Sequence, residues 1–204
     1  MCDAMRMELD VTAAMKDIGT TPDLLERALK LSGLVSTVFA QAGWPLMVVG
    51  GSAIEFYTEG AYMSGDIDFC RRRLQSIPLR LAQELMGRLG ATGGPRSWKV
   101  GGLFVDLLGL LENESASPVR ELQTPYGTVC IIPPELLLVE RVLSATYPLR
   151  DAAMYDTAKK IMAAGLVGES PFDWDEVCRL ASLPSFGVLS EVNALRGEVE
   201  NELG

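Results

Sequence analysis

The 204-residue chain contains no histidine, and this absence excludes more chemistry than any other feature of its composition. Without imidazole the chain cannot form a Ser-His-Asp or Cys-His hydrolytic centre. It also has no histidine for a zinc site or for proton transfer near neutral pH. Any catalysis must therefore use carboxylates, Lys or Arg side chains, hydroxyl groups, or a hard metal ion that binds to oxygen.

Cysteine pairs, long apolar runs and positive charge are also scarce. The four cysteines form no Cys-x-x-Cys pair, so the sequence indicates neither a zinc site nor a disulfide framework. No apolar run is long enough to cross a membrane, and charged residues interrupt the first twenty positions, where a secretory leader needs an apolar core. A net charge of −9 argues against extended binding of nucleic acid or anionic membrane. These features predict a cytoplasmic protein without membrane contact.

The apolar pattern predicts an α+β fold. Periodic apolar residues predict helices at 24–39, 52–57, 78–89, 135–145 and 151–164, and two more that begin near Asp173 and Ser185. Short apolar runs predict strands at 46–49, 67–69, 98–100, 103–108 and 128–132. The Gly101-Gly102 pair between two of these runs is typical of a hairpin turn.

Strands end near residue 132 and only helices follow, which predicts three parts of the chain. A mobile segment at 1–21 precedes a core at 22–132, which contains a small mixed or antiparallel sheet flanked by helices. A helical subdomain at 133–204 follows, and the Pro133-Pro134 pair marks the boundary.

A Gly50-Gly51-Ser52 turn joins the predicted strand at 46–49 to a short helix. The first N–H groups of a helix have no intrahelical partner and attract anions. Glycine lets a phosphate approach the backbone, and the Ser52 hydroxyl adds a donor. A tight turn without a ligand has the same sequence, so the turn alone leaves both interpretations open.

Asp66 and Asp68 flank Ile67 at the start of the predicted strand that contains Ile67 and Phe69. Because side chains alternate along a strand, Asp66 and Asp68 project from one face, with Cα atoms about 6.6 Å apart. Ile67 and Phe69 face the core. Two like charges side by side destabilise a strand unless a cation compensates, and Mg²⁺ binds carboxylate oxygens together with substrate phosphates. Two solvated aspartates at the end of a strand are the alternative.

A third carboxylate, Asp106, lies in the otherwise apolar run at 104–108. A buried acid in such a strand is costly unless it is paired or bound to a metal ion. A sheet that places this strand beside the Asp66 and Asp68 strand brings three carboxylates together opposite the glycine turn. Two-metal phosphoryl or nucleotidyl transfer requires such an arrangement.

The order of these features resembles the nucleotidyltransferase superfamily related to DNA polymerase beta. The matching pattern is an apolar strand with Gly-Gly-Ser, then Asp-hydrophobic-Asp, then a later strand with one Asp, at 49–52, 64–69 and 105–107. The Pro-Pro-Glu-Leu-Leu sequence at 133–137 is similar to small bacterial nucleotidyltransferase-like proteins, including the toxin-type group of abortive-infection systems. The resemblance covers residues 46–165.

The resemblance implies transfer of a nucleoside monophosphate from a nucleoside triphosphate such as ATP to a hydroxyl-type acceptor, with Mg²⁺ or Mn²⁺. It implies that the catalytic, metal-binding residues are Asp66, Asp68 and Asp106, and that Asp106 helps to deprotonate the acceptor. The nucleotide contacts that it implies are Gly50, Gly51, Ser52, Ser64 and Arg141.

Two departures from the family pattern bear on these nucleotide contacts. The spacer before Asp66 is at the long end of the family range. Arg141 stands where relatives often have a lysine that touches the phosphates, which changes a point charge into a planar fork. The alternative role for Arg141 is a structural ion pair with Glu140 or Asp151.

Two functional hypotheses follow from the sequence. The first is an enzyme that acts on a small molecule, an RNA 3′ end or a protein hydroxyl. The second is a catalytically silent member that binds nucleotide or a partner protein, such as one half of a toxin–antitoxin pair. Metal-dependent nucleotide binding separates the two hypotheses in part, because a degraded site would not organise the metal.

Overall fold

A computed structural model gives the fold of residues 9–72, 75–168 and 172–204. This part of the chain contains eight helices and seven strands. The helices are α1 (Val11–Thr20), α2 (Leu24–Gln41), α3 (Gly50–Tyr57), α4 (Leu79–Arg88), α5 (Pro134–Thr146), α6 (Ala152–Val167), α7 (Trp174–Ala181) and α8 (Leu189–Leu203). The strands are β1 (Met47–Val49), β2 (Asp66–Arg71), β3 (Thr92–Gly93), β4 (Ser97–Val100), β5 (Leu103–Leu110), β6 (Arg120–Thr124) and β7 (Gly127–Ile131).

The seven strands form one mixed sheet in the order β3-β4-β5-β2-β1-β7-β6. The central pair β2 and β5 is parallel, whereas β1 and β4 run antiparallel to their neighbours β2 and β5. The predicted hairpin is confirmed, because Val100 pairs with Leu103 across Gly101 and Gly102, which both have positive φ. The predicted α+β class with a small mixed sheet and flanking helices is likewise confirmed.

Helix α2 begins and packs as its sequence predicts. The carboxylate of Asp23 accepts a hydrogen bond from the Glu26 N–H at 2.7 Å and so caps the first turn. The periodic apolar residues Leu31, Leu34 and Val38 are fully buried. Their burial removes one face of the helix from water, which supplies most of the stability of such a helix.

Three elements differ from the sequence prediction. Residues 92–93, where the sequence predicts no strand, pair with β4, and the polar sequence Arg-Glu-Leu-Gln-Thr forms β6 by pairing with β7. Strand β6 lies at the edge of the sheet, so its backbone pairing does not require an apolar side-chain pattern. Helix α1, where the sequence predicts no helix, lies within the segment 1–21 and buries Ala14 and Ile18, and the mobility of that segment stays a prediction. Residues 1–8 of that segment lie outside the described residues.

The last third of the described chain is helical. Helix α5 begins at the predicted Pro-Pro boundary and buries Leu136, Leu137 and Leu138 against the rest of the core. Helices α6 and α7 pack on α5, and α3 contacts both α5 and α6. The division at residue 133 into a core and a helical subdomain stays a prediction. Within the described part of the chain, no helix combines the length and the apolar character that a membrane crossing requires.

Candidate metal and nucleotide site

The three aspartates that the sequence singled out lie together at one end of β2 and β5. The parallel register places Asp68 directly opposite Asp106, and Asp66 one pleat away opposite Phe104. One carboxylate oxygen from each of Asp66, Asp68 and Asp106 lies within 4.8 Å of the other two. The convergence follows from strand pairing, because residues paired across neighbouring strands project from the same face.

Asp68 lies at the centre of this cluster, and its pKa is raised. Burial, together with the charges of Asp66 and Asp106, raises the pKa of Asp68 to about 6. The Gly51 N–H and the Arg141 charge act against this rise. Among the residues that the structure describes, no Lys or Arg forms an ion pair with any of the three acids. The cluster is therefore electrostatically uncompensated.

The glycine turn packs directly against the central acid. Gly50 has φ +62°, and a Cβ added to it would lie 2.4 Å from the Asp68 Oδ2 atom. Gly51 donates its backbone N–H to the Asp68 carboxylate. A residue with a side chain at position 50 would thus be strained and would displace the carboxylate.

Ser52 lies below this turn and is fully buried. Its hydroxyl donates to the Val49 carbonyl oxygen at 3.2 Å and accepts the Asp68 N–H at 3.1 Å. The side chain therefore ties the end of β1 to β2 and fixes the backbone that carries Asp68. The sequence pattern predicted this residue as a phosphate contact and did not reveal the bridge.

Ser64 lies on the opposite side of the turn. Its hydroxyl donates to Asp66 Oδ1 at 3.2 Å, and a Cβ added to Gly51 would lie 2.7 Å from the Ser64 Oγ atom. The Ser64 N–H donates to the Glu55 carboxylate at 2.9 Å. Glu55, which the sequence analysis missed, is 3% exposed and anchors the loop that leads into Asp66. The signal for Glu55 was a charged residue among the apolar residues of α3.

Arg141 projects from α5 toward the same cluster. Its charge lowers the pKa of Asp68, and burial lowers the pKa of Arg141 itself. Its guanidinium contacts the Met154 Sδ atom at 2.9 Å. No ion pair of Arg141 with Glu140 or Asp151 is found in the described structure, which weakens the structural alternative.

Tyr62 is a further residue at the turn that the sequence analysis missed. Its hydroxyl would lie 3.4 Å from a Cβ added to Gly51. The Lys160 Nζ atom lies 6.0 Å from the centre of the Tyr62 ring, so α6 approaches the turn through this contact. A partly buried tyrosine in an irregular loop carries no sequence signal that distinguishes it from a packing residue.

The donor set of the cluster fits a divalent oxygen-seeking cation. Adjacent ligands of octahedral Mg²⁺ lie about 3 Å apart and opposite ligands about 4 Å apart, given Mg–O distances of about 2.1 Å. Carboxylate oxygens within 4.8 Å of one another reach these separations by small side-chain rotations. Asp66, Asp68 and Asp106 are therefore the residues that could hold such an ion.

A large cavity of the described structure is separate from this cluster. It has a volume of about 720 Å³ and lies between the end of α3, strand β6 and α6, with Tyr57, Arg120 and Phe172 in its wall. None of the three aspartates lines it. The acidic cluster instead lies on an open face of the sheet.

Solved structures with a similar architecture are nucleotidyltransferase-like proteins. An antigenic nucleotidyltransferase-like protein from Paracoccidioides brasiliensis matches with a TM-score of 0.55 and 13% sequence identity, over 88% of this chain and 94% of that chain. The antibiotic-resistance factor ANT(2'')-Ia matches with a TM-score of 0.47 and 13% identity, over 82% and 94% of the respective chains. No family model and no curated protein sequence matches the chain. The first of these matches shows that the chain has a nucleotidyltransferase-like fold, and function rests on the site residues.

Proposed function

We propose that the chain is a nucleotidyltransferase that moves a nucleoside monophosphate from a nucleoside triphosphate to an acceptor hydroxyl, with Mg²⁺ or Mn²⁺ bound by the acidic cluster. The observation that carries this proposal is the convergence of Asp66, Asp68 and Asp106 beside the glycine turn, with no ion-pair partner among the described residues. Uncompensated carboxylates are costly in a folded protein, and binding of a divalent cation removes that cost.

The transfer step is an in-line displacement at the α-phosphorus. The acceptor oxygen forms a bond to the α-phosphorus, and the bond from this phosphorus to the bridging oxygen of pyrophosphate breaks. Pyrophosphate leaves with the electron pair, and the Asp106 carboxylate accepts the hydroxyl proton. A divalent cation held by the cluster supplies positive charge at the α-phosphate and the leaving group.

The remaining predicted residues surround the position of the phosphates in this proposal. Gly50 leaves space beside Asp68, and Gly51 and Ser64 form the wall next to it. Ser52 contributes its backbone N–H, one of the first of α3, because its hydroxyl already bridges β1 and β2. Arg141 offers a guanidinium that no described carboxylate neutralises, which suits a triphosphate.

The test is transfer of label from each of the four α-labelled nucleoside triphosphates to the components of a total cell extract. We expect the wild-type protein to label one fraction in the presence of Mg²⁺. Asp68→Asn and Asp106→Asn should each reduce this labelling at least about 1,000-fold, because each removes a metal ligand and a charge. Asp175→Asn, an exposed acid of α7, is the matched control and should leave labelling unchanged.

Retained labelling in both cluster variants would refute the proposal that the protein is a nucleotidyltransferase. Calorimetry with Mg²⁺ and each nucleoside triphosphate then tests the second hypothesis, a catalytically silent binding protein. Metal-dependent nucleotide binding without transfer would support a silent nucleotide-binding member. Absence of any metal-dependent binding would leave a partner-binding protein, such as a toxin–antitoxin component. Membership of the toxin-type group stays a prediction.

A further inference from the structure

The open face of the sheet continues past the acidic cluster onto β4 and β5. Phe104 lies directly opposite Asp66 and two residues before Asp106, on the same face as both. Neighbouring strands lie about 4.8 Å apart, and two residues along a strand span about 6.6 Å. Despite its position in the middle of a sheet, the Phe104 side chain is 52% exposed. An aromatic ring therefore lies uncovered beside the candidate metal ligands, on the strand of Asp106 and next to the strand of Asp66 and Asp68.

Lys99 lies beside this ring on the next strand. The antiparallel register pairs Lys99 with Phe104 and Ser97 with Asp106, so all four share the open face. Lys99 and Ser97 are exposed, whereas the alternate residues Trp98 and Val100 are buried. Lys99 forms no ion pair with any residue that the structure describes.

A second cation, Arg96, precedes β4. Its backbone carbonyl accepts the Leu107 N–H at 2.9 Å, which fixes Arg96 beside β5. Like Lys99, the Arg96 side chain is exposed and has no carboxylate partner in the described structure. In a chain of net charge −9, two unpaired cations therefore flank the strand that carries Phe104 and Asp106.

We propose that Phe104 and Lys99 form the acceptor subsite, and that the acceptor is a nucleotide whose base stacks on Phe104 and whose phosphate contacts Lys99. This inference rests on the proposed function. A phosphate near three aspartates needs a compensating cation, which Lys99 supplies, and a base needs an uncovered ring, which Phe104 supplies. The two positions are adjacent, so one nucleotide can contact both while its hydroxyl reaches Asp106.

The strand order assigns this subsite to the acceptor instead of the donor. The glycine turn, where the donor phosphates would bind, follows β1, on one side of β2. Phe104 and Lys99 lie on β5 and β4, on the other side of β2. Asp68 and Asp106 lie between the two regions, where the α-phosphorus and the acceptor oxygen must meet. An acceptor nucleotide is available either as a free mononucleotide or as the terminal residue of an RNA.

The experiment measures transfer from α-labelled nucleoside triphosphate to defined acceptors with Mg²⁺. The probes are a single-stranded six-nucleotide RNA with a free 3′-hydroxyl, the same RNA ending in a 3′-deoxynucleotide, the four nucleoside 5′-monophosphates, and adenosine. We expect label on the RNA or on a monophosphate, much less on adenosine, and none on the 3′-deoxy RNA. Label on the RNA alone identifies a polynucleotide end, and label on a monophosphate identifies a free nucleotide.

Three variants test the two side chains. Phe104→Ala should raise the acceptor KM about 10-fold and Phe104→Leu nearly as much, because leucine restores apolar area without a ring. Lys99→Met should raise the acceptor KM several-fold and weaken its dependence on salt. Leu122→Ala on β6 and Lys16→Met on α1 are exposed matched controls and should leave this KM unchanged. Calorimetric affinity for the Mg²⁺–triphosphate donor should be the same in all five variants.

Three results would overturn the inference while leaving the nucleotidyltransferase intact. In the first, label appears on a non-nucleotide component of the extract and on none of the probes. In the second, Phe104→Ala leaves the acceptor KM unchanged. In the third, Phe104→Ala lowers the affinity for the Mg²⁺–triphosphate donor. Wild-type protein that neither binds the donor with Mg²⁺ nor transfers label would overturn both the proposed function and this inference.

Discussion

Two acidic regions of the molecule show opposite electrostatic arrangements. Glu176, a buried residue of α7, accepts hydrogen bonds from the Ser115 hydroxyl and the Ala116 N–H, each at 2.7 Å. Arg179 donates to both of its carboxylate oxygens, at 2.6 and 2.9 Å. The Arg179 guanidinium and these further donors lower the pKa of Glu176 to about 2. This carboxylate is stable as an anion within the protein alone.

Asp68 has the reverse environment. It faces the carboxylates of Asp66 and Asp106, and only the Gly51 N–H and the more distant Arg141 favour its charge. Burial and the two neighbouring carboxylates together raise its pKa to about 6. The comparison separates a carboxylate that stabilises the fold from one that costs stability until a cation is added. Both residues are acids at least partly removed from water, so burial alone does not distinguish Glu176 from Asp68. The number of hydrogen-bond donors around each carboxylate does.

The largest expected effect comes from the glycine that makes room for Asp68. Gly50→Ala should lower the free energy of unfolding by about 2 kcal/mol, because φ +62° is unfavourable for alanine and the new Cβ displaces the carboxylate. The stabilisation by added Mg²⁺ should disappear. Urea unfolding with and without Mg²⁺ measures both effects. Gly65→Ala, with open space around the added Cβ, is the control, and an equal loss there would contradict the explanation.

Removing the charge of Glu176 tests whether this carboxylate stabilises the fold. Glu176→Gln should lower the free energy of unfolding by about 1.5 to 2 kcal/mol at pH 7, since Arg179 and Ser115 lose a charged acceptor. Because the folded pKa is depressed, this contribution is present above about pH 4.5 and declines as the pH falls toward 2. Unfolding curves for both proteins should therefore converge in acid. A constant difference down to pH 2 would contradict the assignment.

Removing the charge of Asp68 should have the opposite sign. In the absence of divalent cations, Asp68→Asn should raise the free energy of unfolding by about 1 to 2 kcal/mol at pH 7. A raised folded pKa means that the wild-type protein loses stability as the pH rises from about 4 to 6, and the cost remains above pH 6. The two proteins should therefore be similar at pH 4. A variant that is less stable than wild type at pH 7 would contradict an uncompensated cluster.

The smallest expected effect is the pH dependence of stabilisation by the metal ion. Mg²⁺ at about ten times its dissociation constant should raise the free energy of unfolding by about 1.4 kcal/mol. The effect should be much weaker at pH 5 than at pH 7, because Asp68 must lose its proton to bind the ion. Thermal melts at both pH values with Mg²⁺ and with Mn²⁺ measure it. Equal stabilisation at pH 5 and pH 7 would exclude Asp68 as a ligand.

Most helices and the central strands follow from local sequence signals, and the elements that do not are informative. Strand β6 has a polar sequence and exists through its pairing with β7. Helix α1 is a short amphipathic segment whose burial depends on contact with α2. Both depend on packing or pairing with a neighbouring element, and a local sequence pattern does not encode that contact.

The candidate site likewise has some features that follow from the local sequence and others that only the tertiary structure determines. Alternation along β2 placed Asp66 and Asp68 on one face, and the apolar run around Asp106 predicted that this acid needs a partner, because both follow from the geometry of a single strand. The tertiary structure decided that Asp106 faces Asp68, that Ser52 bridges two strands and that Glu55 anchors the loop to Asp66. The physical reason is that strand alternation acts over two residues, whereas pairing register and burial depend on contacts between distant parts of the chain.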